Sequence, residues 1–158
     1  MPVKIRTMTP ADKPEIVHML VATPAFLPEE VKVAEELIDA HLDERESSGY
    51  HFRVAESEDG VAGFICFGPT PLTRGTWDMY WMATAPDQRG RGIGGTLLKT
   101  AEDHIRDSCG RIILIETSSN PHYAPARNLY HSHNYEQVST IPDFYDPGDD
   151  KITFRKKL

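Results

Sequence analysis

The stretch Arg89-Gly90-Arg91-Gly92-Ile93-Gly94-Gly95 decides the fold, because it joins an aromatic-rich apolar run to a helical pattern. Glycine residues let backbone N–H groups approach a ligand closely. A helix that begins at such a loop directs unsatisfied donors and the positive end of its dipole toward an anion. This segment, called the glycine loop below, therefore predicts a phosphate-binding site between a strand and a helix.

The residues around the glycine loop predict alternating helices and strands. Helices are expected from an N-cap at Thr9 to about Val21, through Val31 to Leu42, through Leu97 to Ile105 with an end at Gly110, and over 126–132. Strands are expected at 3–8, 51–57, 61–67, 77–84, 111–117, 135–140 and 152–156. The unbroken apolar run 112–115 is typical of a strand covered on both faces. The order predicts an α/β domain on a mixed sheet.

Composition limits the class of protein. The 158 residues with 39% hydrophobic content predict a single domain over 1–158 with a sizeable core. A net charge of −7 argues against nucleic acid and anionic membranes as partners, since both require a basic surface. Cys66 and Cys109 lack metal-ligand spacing and are expected to be reduced thiols, which favours a cytoplasmic location. We expect no membrane span and no signal peptide.

The glycine loop has a second interpretation as a dinucleotide site. Gly90-x-Gly92-x-x-Gly95 matches that fingerprint, and Glu116 ends the next predicted strand, where an acid would bind a ribose. However, five residues, 85–89, separate the preceding strand from the first glycine, whereas the dinucleotide fold turns almost at once. A Walker-type loop is excluded because no Gly-Lys-Ser/Thr follows. An NAD(P)-dependent oxidoreductase therefore remains as a weaker alternative.

Two linked motifs resemble those of the GNAT acetyltransferase superfamily. Its pyrophosphate motif, Gln/Arg-x-x-Gly-x-Gly/Ala, is similar to residues Arg89–Gly94, and its Ala-x-x-Leu-Tyr-x-x-x-Gly-Phe is similar to Ala126-x-x-Leu129-Tyr130 followed by Asn134-Tyr135. The resemblance covers nearly the whole chain. It implies a mixed, mostly antiparallel sheet of about seven strands flanked by about four helices. It also implies that the protein transfers the acetyl group of acetyl-CoA to a primary amine by direct attack in a ternary complex.

The resemblance assigns the residues that bind the coenzyme. The pyrophosphate is expected at the main chain and arginines of the glycine loop, which are Arg89, Gly90, Arg91, Gly92, Ile93, Gly94 and Gly95. By analogy, the backbones of Met82 and Thr84 would pair with the pantetheine arm like an extra strand. The N–H of Met82 would then face the thioester carbonyl as an oxyanion donor. Many family members carry an asparagine three residues before the motif alanine, and this chain has Tyr123 at that position. Asn120, three places earlier, is therefore a further candidate contact.

Amine acetylation also requires an acid and a base. Tyr130 is the candidate acid, because a phenol is protonated at neutral pH and can donate to the departing thiolate; it can equally be a core tyrosine. Asp78 is a candidate base, since it lies four residues before Met82 and is expected on the same strand face. Glu116 is the alternative base, because it ends a strand that is expected to be buried. Either carboxylate can instead be structural, and some family members relay the proton through water.

The remaining expectations concern the partners. His131 and His133 are two apart on a predicted helix, so they point to different faces and we expect no metal site. The resemblance implies that residues 23–30 and the C-terminal strands line the site of the acceptor, which is expected to be a small-molecule or peptide amine. A homodimer is left open. A non-catalytic acyl-CoA-binding or regulatory module with the same loop is the main alternative.

Overall fold

The computed structural model describes residues 2–158, and of Glu46 the backbone alone. Seven strands form one sheet in the order β1-β2-β3-β4-β5-β7-β6. The strands are β1 (Lys4–Thr7), β2 (His51–Ser57), β3 (Gly60–Pro69), β4 (Thr76–Thr84), β5 (Ile112–Ser118), β6 (Glu136–Asp146) and β7 (Asp149–Lys157). The α-helices are α1 (Lys13–Val21), α2 (Pro28–Glu44), α3 (Ile93–Asp107) and α4 (Ala124–Ser132).

The sheet is antiparallel except for one pair of strands. β4 and β5 run parallel because α3 connects them as a crossover helix. The predicted mixed, mostly antiparallel sheet of seven strands with four α-helices is therefore confirmed. A doubly wound parallel sheet, which the dinucleotide alternative requires, is not formed by the described residues.

The helices cover the two faces of the sheet. α3 packs on one face, where the four residues predicted for its apolar side, Leu97, Leu98, Ala101 and Ile105, are fully buried with residues of β5, α4 and β7. α1 and α2 pack on the other face with residues of β2, β3 and β4. These two faces are called the α3 face and the α1–α2 face below.

The structure corrects three details of the predicted elements. Thr9 precedes a short 3₁₀ turn, and α1 begins at Lys13. β6 extends to Asp146, beyond the predicted end at residue 140. β5 is not buried equally on both faces. Ile113 and Ile115 are buried on the α3 face, whereas Leu114 between them is half-buried on the opposite face, where α1 packs over β3 and β4 instead.

No helix within residues 2–158 is long and apolar enough to cross a membrane.

Candidate active site

The centre of the sheet contains a gap between β4 and β5. The two strands pair from Thr76 with Ile112 to Met79 with Ile115 and then separate. Beyond that point β4 continues to pair with β3 as far as Thr84, and β5 continues to pair with β7 as far as its last residue. The gap therefore lies between residues 80–84 of β4 and 116–118 of β5.

A β-bulge in β4 lies where the gap begins. Cys66 of β3 pairs with Trp81 and Phe67 pairs with Met79, so Tyr80 is an extra residue without a partner of its own in the ladder. A bulge of this kind bends the strand and interrupts the alternation of its side chains.

The bulge changes which residues of β4 share a face. Met79 packs on the α3 face before the bulge and Met82 does so after it, whereas Trp81 and Ala83 pack on the α1–α2 face. Asp78, next to Met79, therefore points to the α1–α2 face. The expectation that it shares a face with Met82 is wrong, because it assumed uninterrupted alternation.

The backbone of β4 faces the gap at alternate residues. The N–H of Ala85 donates to the carbonyl of Ala62 at 2.8 Å, so Ala85 directs its backbone groups toward β3. In an antiparallel pair, every second residue of a strand does so. Continuing this alternation, Ala83 faces β3, and the N–H and C=O groups of Met82 and Thr84 point toward the gap. This is the orientation that the predicted contact with pantetheine needs, although the contact itself stays a prediction.

The glycine loop lies at the end of β4 and opens α3. Gly90 and Gly92 have φ values of +80° and +75°, and a Cβ built on either would meet no atom within 4 Å. Gly92 is the N-cap of α3, so the N–H groups of the first helical turn have no acceptor within the helix. The loop therefore presents free donors and open space beside the gap.

Other positions of the glycine loop serve the packing of the protein. Ile93 is buried in the core. A Cβ at Gly94 would lie 3.1 Å from the Leu129 side chain, and one at Gly95 would lie 2.6 Å from Nε2 of His133. These two glycines let α3 approach α4 closely, so their predicted coenzyme contact is restricted to the main chain.

The two arginines of the loop differ in their surroundings. Arg91 donates to Oε1 of the buried Gln88 at 3.1 Å, which ties its guanidinium to the loop. Arg89 is exposed and forms no ion pair with any of the described residues. A groove of about 500 Å³ runs from Gly92 between α3 and α4, with Lys99 on one wall and His133 on the other. The positive charges of Arg89 and Arg91 thus lie in the loop between the end of β4 and the start of α3.

Tyr130 lies in the core on the α3 face, the same face as Met82. Its side chain is buried, with ring contacts to Phe154 at 5.5 Å and Tyr135 at 6.2 Å between centroids. Burial raises the pKa of the Tyr130 phenol above its ordinary value, so the group keeps its proton at neutral pH. No described residue forms a hydrogen bond with its hydroxyl. The phenol is thus chemically able to act as an acid, and that role stays a prediction.

The two candidate bases lie on the opposite face. Asp78 is half-buried and accepts a hydrogen bond of 2.6 Å from the hydroxyl of Thr70. Glu116 is not buried as expected, since 55% of its side chain is exposed and its carboxylate lies 3.9 Å from the Lys151 ammonium. The exposure follows from its place in β5, between residues whose side chains point into the core on the α3 face. The structure therefore separates Tyr130 from both carboxylates by the sheet.

The segment after β5 contains Asn120 and Tyr123. Oδ1 of Asn120 accepts the N–H of His122 at 2.9 Å and caps a 3₁₀ turn, so this oxygen is already used within the chain. The Tyr123 hydroxyl lies 3.1 Å from the carbonyl oxygen of Ala25 and 3.3 Å from Oε2 of Glu30. From the sequence alone, Tyr123 has no assigned role and Glu30 does not stand out from the segment 23–30. The tyrosine at the position where many family members carry an asparagine is the feature of the sequence that could have drawn attention to this contact.

The histidine pair has structural contacts. His131 packs edge-on against the ring of Phe154 at 5.0 Å, and His133 lies over Gly95. Among the side chains that the structure describes, no group of three or more histidine, cysteine, aspartate or glutamate residues has a metal-binding arrangement.

Comparisons with known proteins identify the family. The model of the acetyltransferase (GNAT) domain matches residues 48–137. An uncharacterized N-acetyltransferase from Methanocaldococcus jannaschii is 32% identical over 108 residues, which are 67% of this chain and 65% of the relative, so the chain spans slightly less than two thirds of that protein. A GNAT-family structure from Desulfovibrio desulfuricans is 39% identical, with a TM-score of 0.93 over 98% of both chains. The yncA structure from Salmonella typhimurium, which holds acetyl-CoA, is 20% identical with a TM-score of 0.78 over 100% of this chain and 95% of its own. This chain therefore belongs to the GNAT family of acetyltransferases.

Proposed function

We propose that this protein transfers the acetyl group of acetyl-CoA to a primary amine within a ternary complex. The observation that carries the proposal is the gap between β4 and β5, which is bordered by free backbone groups of β4 and ends at the glycine loop. An extended pantetheine arm can add to β4 as a strand, and a pyrophosphate can bind the free N–H groups at the start of α3. The bound acetyl-CoA of the yncA structure supports this choice of donor.

Residues of β4 and α4 would act on the donor. Acetyl-CoA supplies the acetyl group as a thioester. The N–H of Met82, which points to the gap, would stabilise negative charge that develops on the carbonyl oxygen, and removal of one such donor in other enzymes costs about 3 kcal/mol. Tyr130 holds a proton at its phenol oxygen and would give it to the departing sulfur. Arg89 and Arg91 would add positive charge near the pyrophosphate.

The acceptor would approach from the α1–α2 face. Tyr130 lies on the α3 face, whereas Asp78 and Glu116 lie on the opposite side, so acid and base would act from opposite sides of the sheet. An alkyl ammonium has an ordinary pKa of about 10.4 and must lose a proton before it attacks. Asp78, Glu116 or a water molecule would take that proton. The proposed acceptor is a small-molecule or peptide amine.

The cysteines support a cytoplasmic location. Cys66 is buried and Cys109 is exposed, and both are free thiols. An exposed thiol is maintained most easily in a reducing compartment.

Ligand binding and turnover test the proposal together. We expect acetyl-CoA and coenzyme A, but not NAD, to raise the thermal midpoint, because a ligand that binds the native state stabilises it. We also expect thiol release from acetyl-CoA when a library of primary amines is supplied. Stabilisation by NAD alone would overturn the assignment, and coenzyme binding without thiol release for any amine would indicate a non-catalytic module instead.

A further inference from the structure

A buried carboxylate on the α3 side of the sheet takes no part in the chemistry proposed above. Glu102 lies in α3, and only 5% of the residue is exposed. Its Oε2 accepts a hydrogen bond of 2.7 Å from the Tyr135 hydroxyl, and its Oε1 accepts one of 3.0 Å from the Lys156 ammonium. A charged group is buried at low cost only when it is paired and hydrogen-bonded. Glu102 therefore joins α3 to β7 and to the residue that precedes β6.

The hydroxyl of Tyr135 makes this connection possible. The family motif ends in phenylalanine, which has no hydroxyl, whereas this chain has tyrosine. The Tyr135 side chain is buried in the core on the α3 face. Burial and the hydrogen bond to Glu102 raise the pKa of its phenol, so the phenol keeps its proton and remains a hydrogen-bond donor. The Lys156 ammonium lies 5.4 Å from the centre of the same ring. Tyr135 is thus held at its hydroxyl by Glu102 and at its ring by Lys156.

Tyr135 contacts the candidate acid Tyr130 through its backbone and through its ring. Its N–H donates to the carbonyl oxygen of Tyr130 at 3.0 Å, after a turn in which Asn134 has a φ of +67°. The centroids of the two rings lie 6.2 Å apart. Phe154 of β7 also contacts the Tyr130 ring, with centroids 5.5 Å apart. Because no described residue forms a hydrogen bond with the Tyr130 hydroxyl, ring packing sets the direction of this phenol.

We propose that Glu102 and Tyr135 are positioning residues that hold the Tyr130 phenol in the direction of the departing sulfur. This inference rests on the proposed acetyltransferase function and names the residues that orient its acid. The proton of the Tyr130 phenol passes to the sulfur as the carbon–sulfur bond of the thioester breaks, so the two atoms must lie within hydrogen-bond reach. The Tyr135 ring can tilt away from Tyr130 only if its hydroxyl leaves Glu102. The buried hydrogen bond therefore keeps the acid in the geometry that proton transfer needs.

The position of Tyr130 can be measured without an acceptor amine. In the full chain, isotopically labelled at the ring carbons of tyrosine, the NMR signal of Tyr130 is the one that disappears in Tyr130→Phe. Tyr135→Phe removes a hydroxyl and keeps the ring, so a change in the Tyr130 signal reports that the rings have moved. We expect the signal to shift or broaden in Tyr135→Phe. Glu102→Gln should act in the same way, because a neutral amide binds the phenol and the ammonium less strongly.

Asp12→Asn is the matched control. Asp12 is likewise a buried carboxylate, and Arg6 donates to its two oxygens at 2.7 and 2.8 Å. It lies in the turn before α1, on the other side of the sheet, so its neutralisation costs stability without disturbing Tyr135. We expect the Tyr130 signal to stay in place in this variant. Thermal unfolding with and without coenzyme A reports whether each variant is folded and binds the donor.

Turnover tests whether the position of Tyr130 matters for the reaction. The assay is thiol release from acetyl-CoA with the primary amine of the library that reacts fastest. Tyr135→Phe should lower kcat by about tenfold or more, because a small misplacement of a catalytic group is costly. The KM for acetyl-CoA should hardly change, since this substitution removes no group of β4 or of the glycine loop. In the Tyr130→Phe background the same substitution should not lower kcat further, because the group that it orients is gone.

The outcomes separate this inference from the proposed function. If the Tyr130 signal stays in place in Tyr135→Phe, or if the substitution lowers kcat equally in both backgrounds, Tyr135 has a purely structural role and the inference is wrong, while acetyl transfer stands. Unchanged turnover in Tyr130→Phe would overturn the inference together with the acid role, and acetyl transfer would again stand. If wild type releases thiol with no amine at all, the proposed function fails, and Glu102 and Tyr135 then hold a core tyrosine rather than an acid.

Discussion

Replacement of Gly92 by alanine tests the glycine loop most directly. Gly92 has φ +75° and open space where a Cβ would lie, so alanine meets no clash and the cost is backbone strain. A left-handed conformation costs a non-glycine residue about 1–2 kcal/mol, and the lower entropy of the unfolded alanine chain offsets about 0.4–1 kcal/mol of this. The net loss of about 1 kcal/mol corresponds to a thermal midpoint lower by about 2–4 °C in a chain of this size.

The chain offers a matched control at Gly148. This residue lies in the turn between β6 and β7, has φ +81° and likewise meets nothing within 4 Å. Gly148→Ala should therefore lose about the same stability without coenzyme. Thermal unfolding followed by circular dichroism, with and without acetyl-CoA, measures both variants.

Acetyl-CoA should distinguish the two variants. At a concentration of about one hundred times Kd, a ligand stabilises the native state by about 2.7 kcal/mol. The added methyl group of Gly92→Ala would occupy space that the coenzyme needs, and a tenfold loss of affinity removes about 1.4 kcal/mol of this gain. Gly92→Asn separates strain from obstruction, since asparagine tolerates the left-handed conformation but fills the space even more. Equal ligand-induced shifts in Gly92→Ala and Gly148→Ala would refute the placement of the coenzyme at Gly92.

Two further predictions concern Tyr130 and Asp12. Tyr130→Phe should lower kcat by about a hundredfold or more, because the acid for the departing thiolate is removed. The thermal midpoint should stay near that of wild type, because the hydroxyl forms no hydrogen bond with a described residue. Unchanged turnover of a screened amine would show that the phenol is not the acid. Burial by itself would raise the pKa of Asp12, but hydrogen bonds from Arg6 and Thr9 lower it below the ordinary value. Its contribution to stability is therefore present at neutral pH and is lost as the pH falls below about 4 toward the lowered pKa. Asp12→Asn should lower the free energy of unfolding by about 1–3 kcal/mol at pH 7, and the difference from wild type in urea midpoint should shrink near pH 3; a difference independent of pH would contradict this assignment.

Local patterns in the sequence predicted much of the fold. The apolar side of α3 was identified from helical spacing, and the β2–β3 hairpin from Glu58-Asp59-Gly60, because both depend on residues close together in the chain. β5 illustrates the limit of such patterns. Its run of apolar residues is compatible with cover on both faces or on one, and the position of α1 over β3 and β4 decided between them.

The sequence by itself determined the family and the loop at the start of α3, because both depend on short motifs with a fixed spacing. Only the tertiary structure decided which side chains face each other across the gap. The bulge at Tyr80 rotates half of β4, so Asp78 and Met82 point to opposite faces. The contacts of Tyr123 with Ala25 and Glu30 join segments more than ninety positions apart, and no local pattern encodes such a pairing. Motif spacing thus predicted where the donor would bind, whereas long-range packing brought Tyr123 against the segment between α1 and α2.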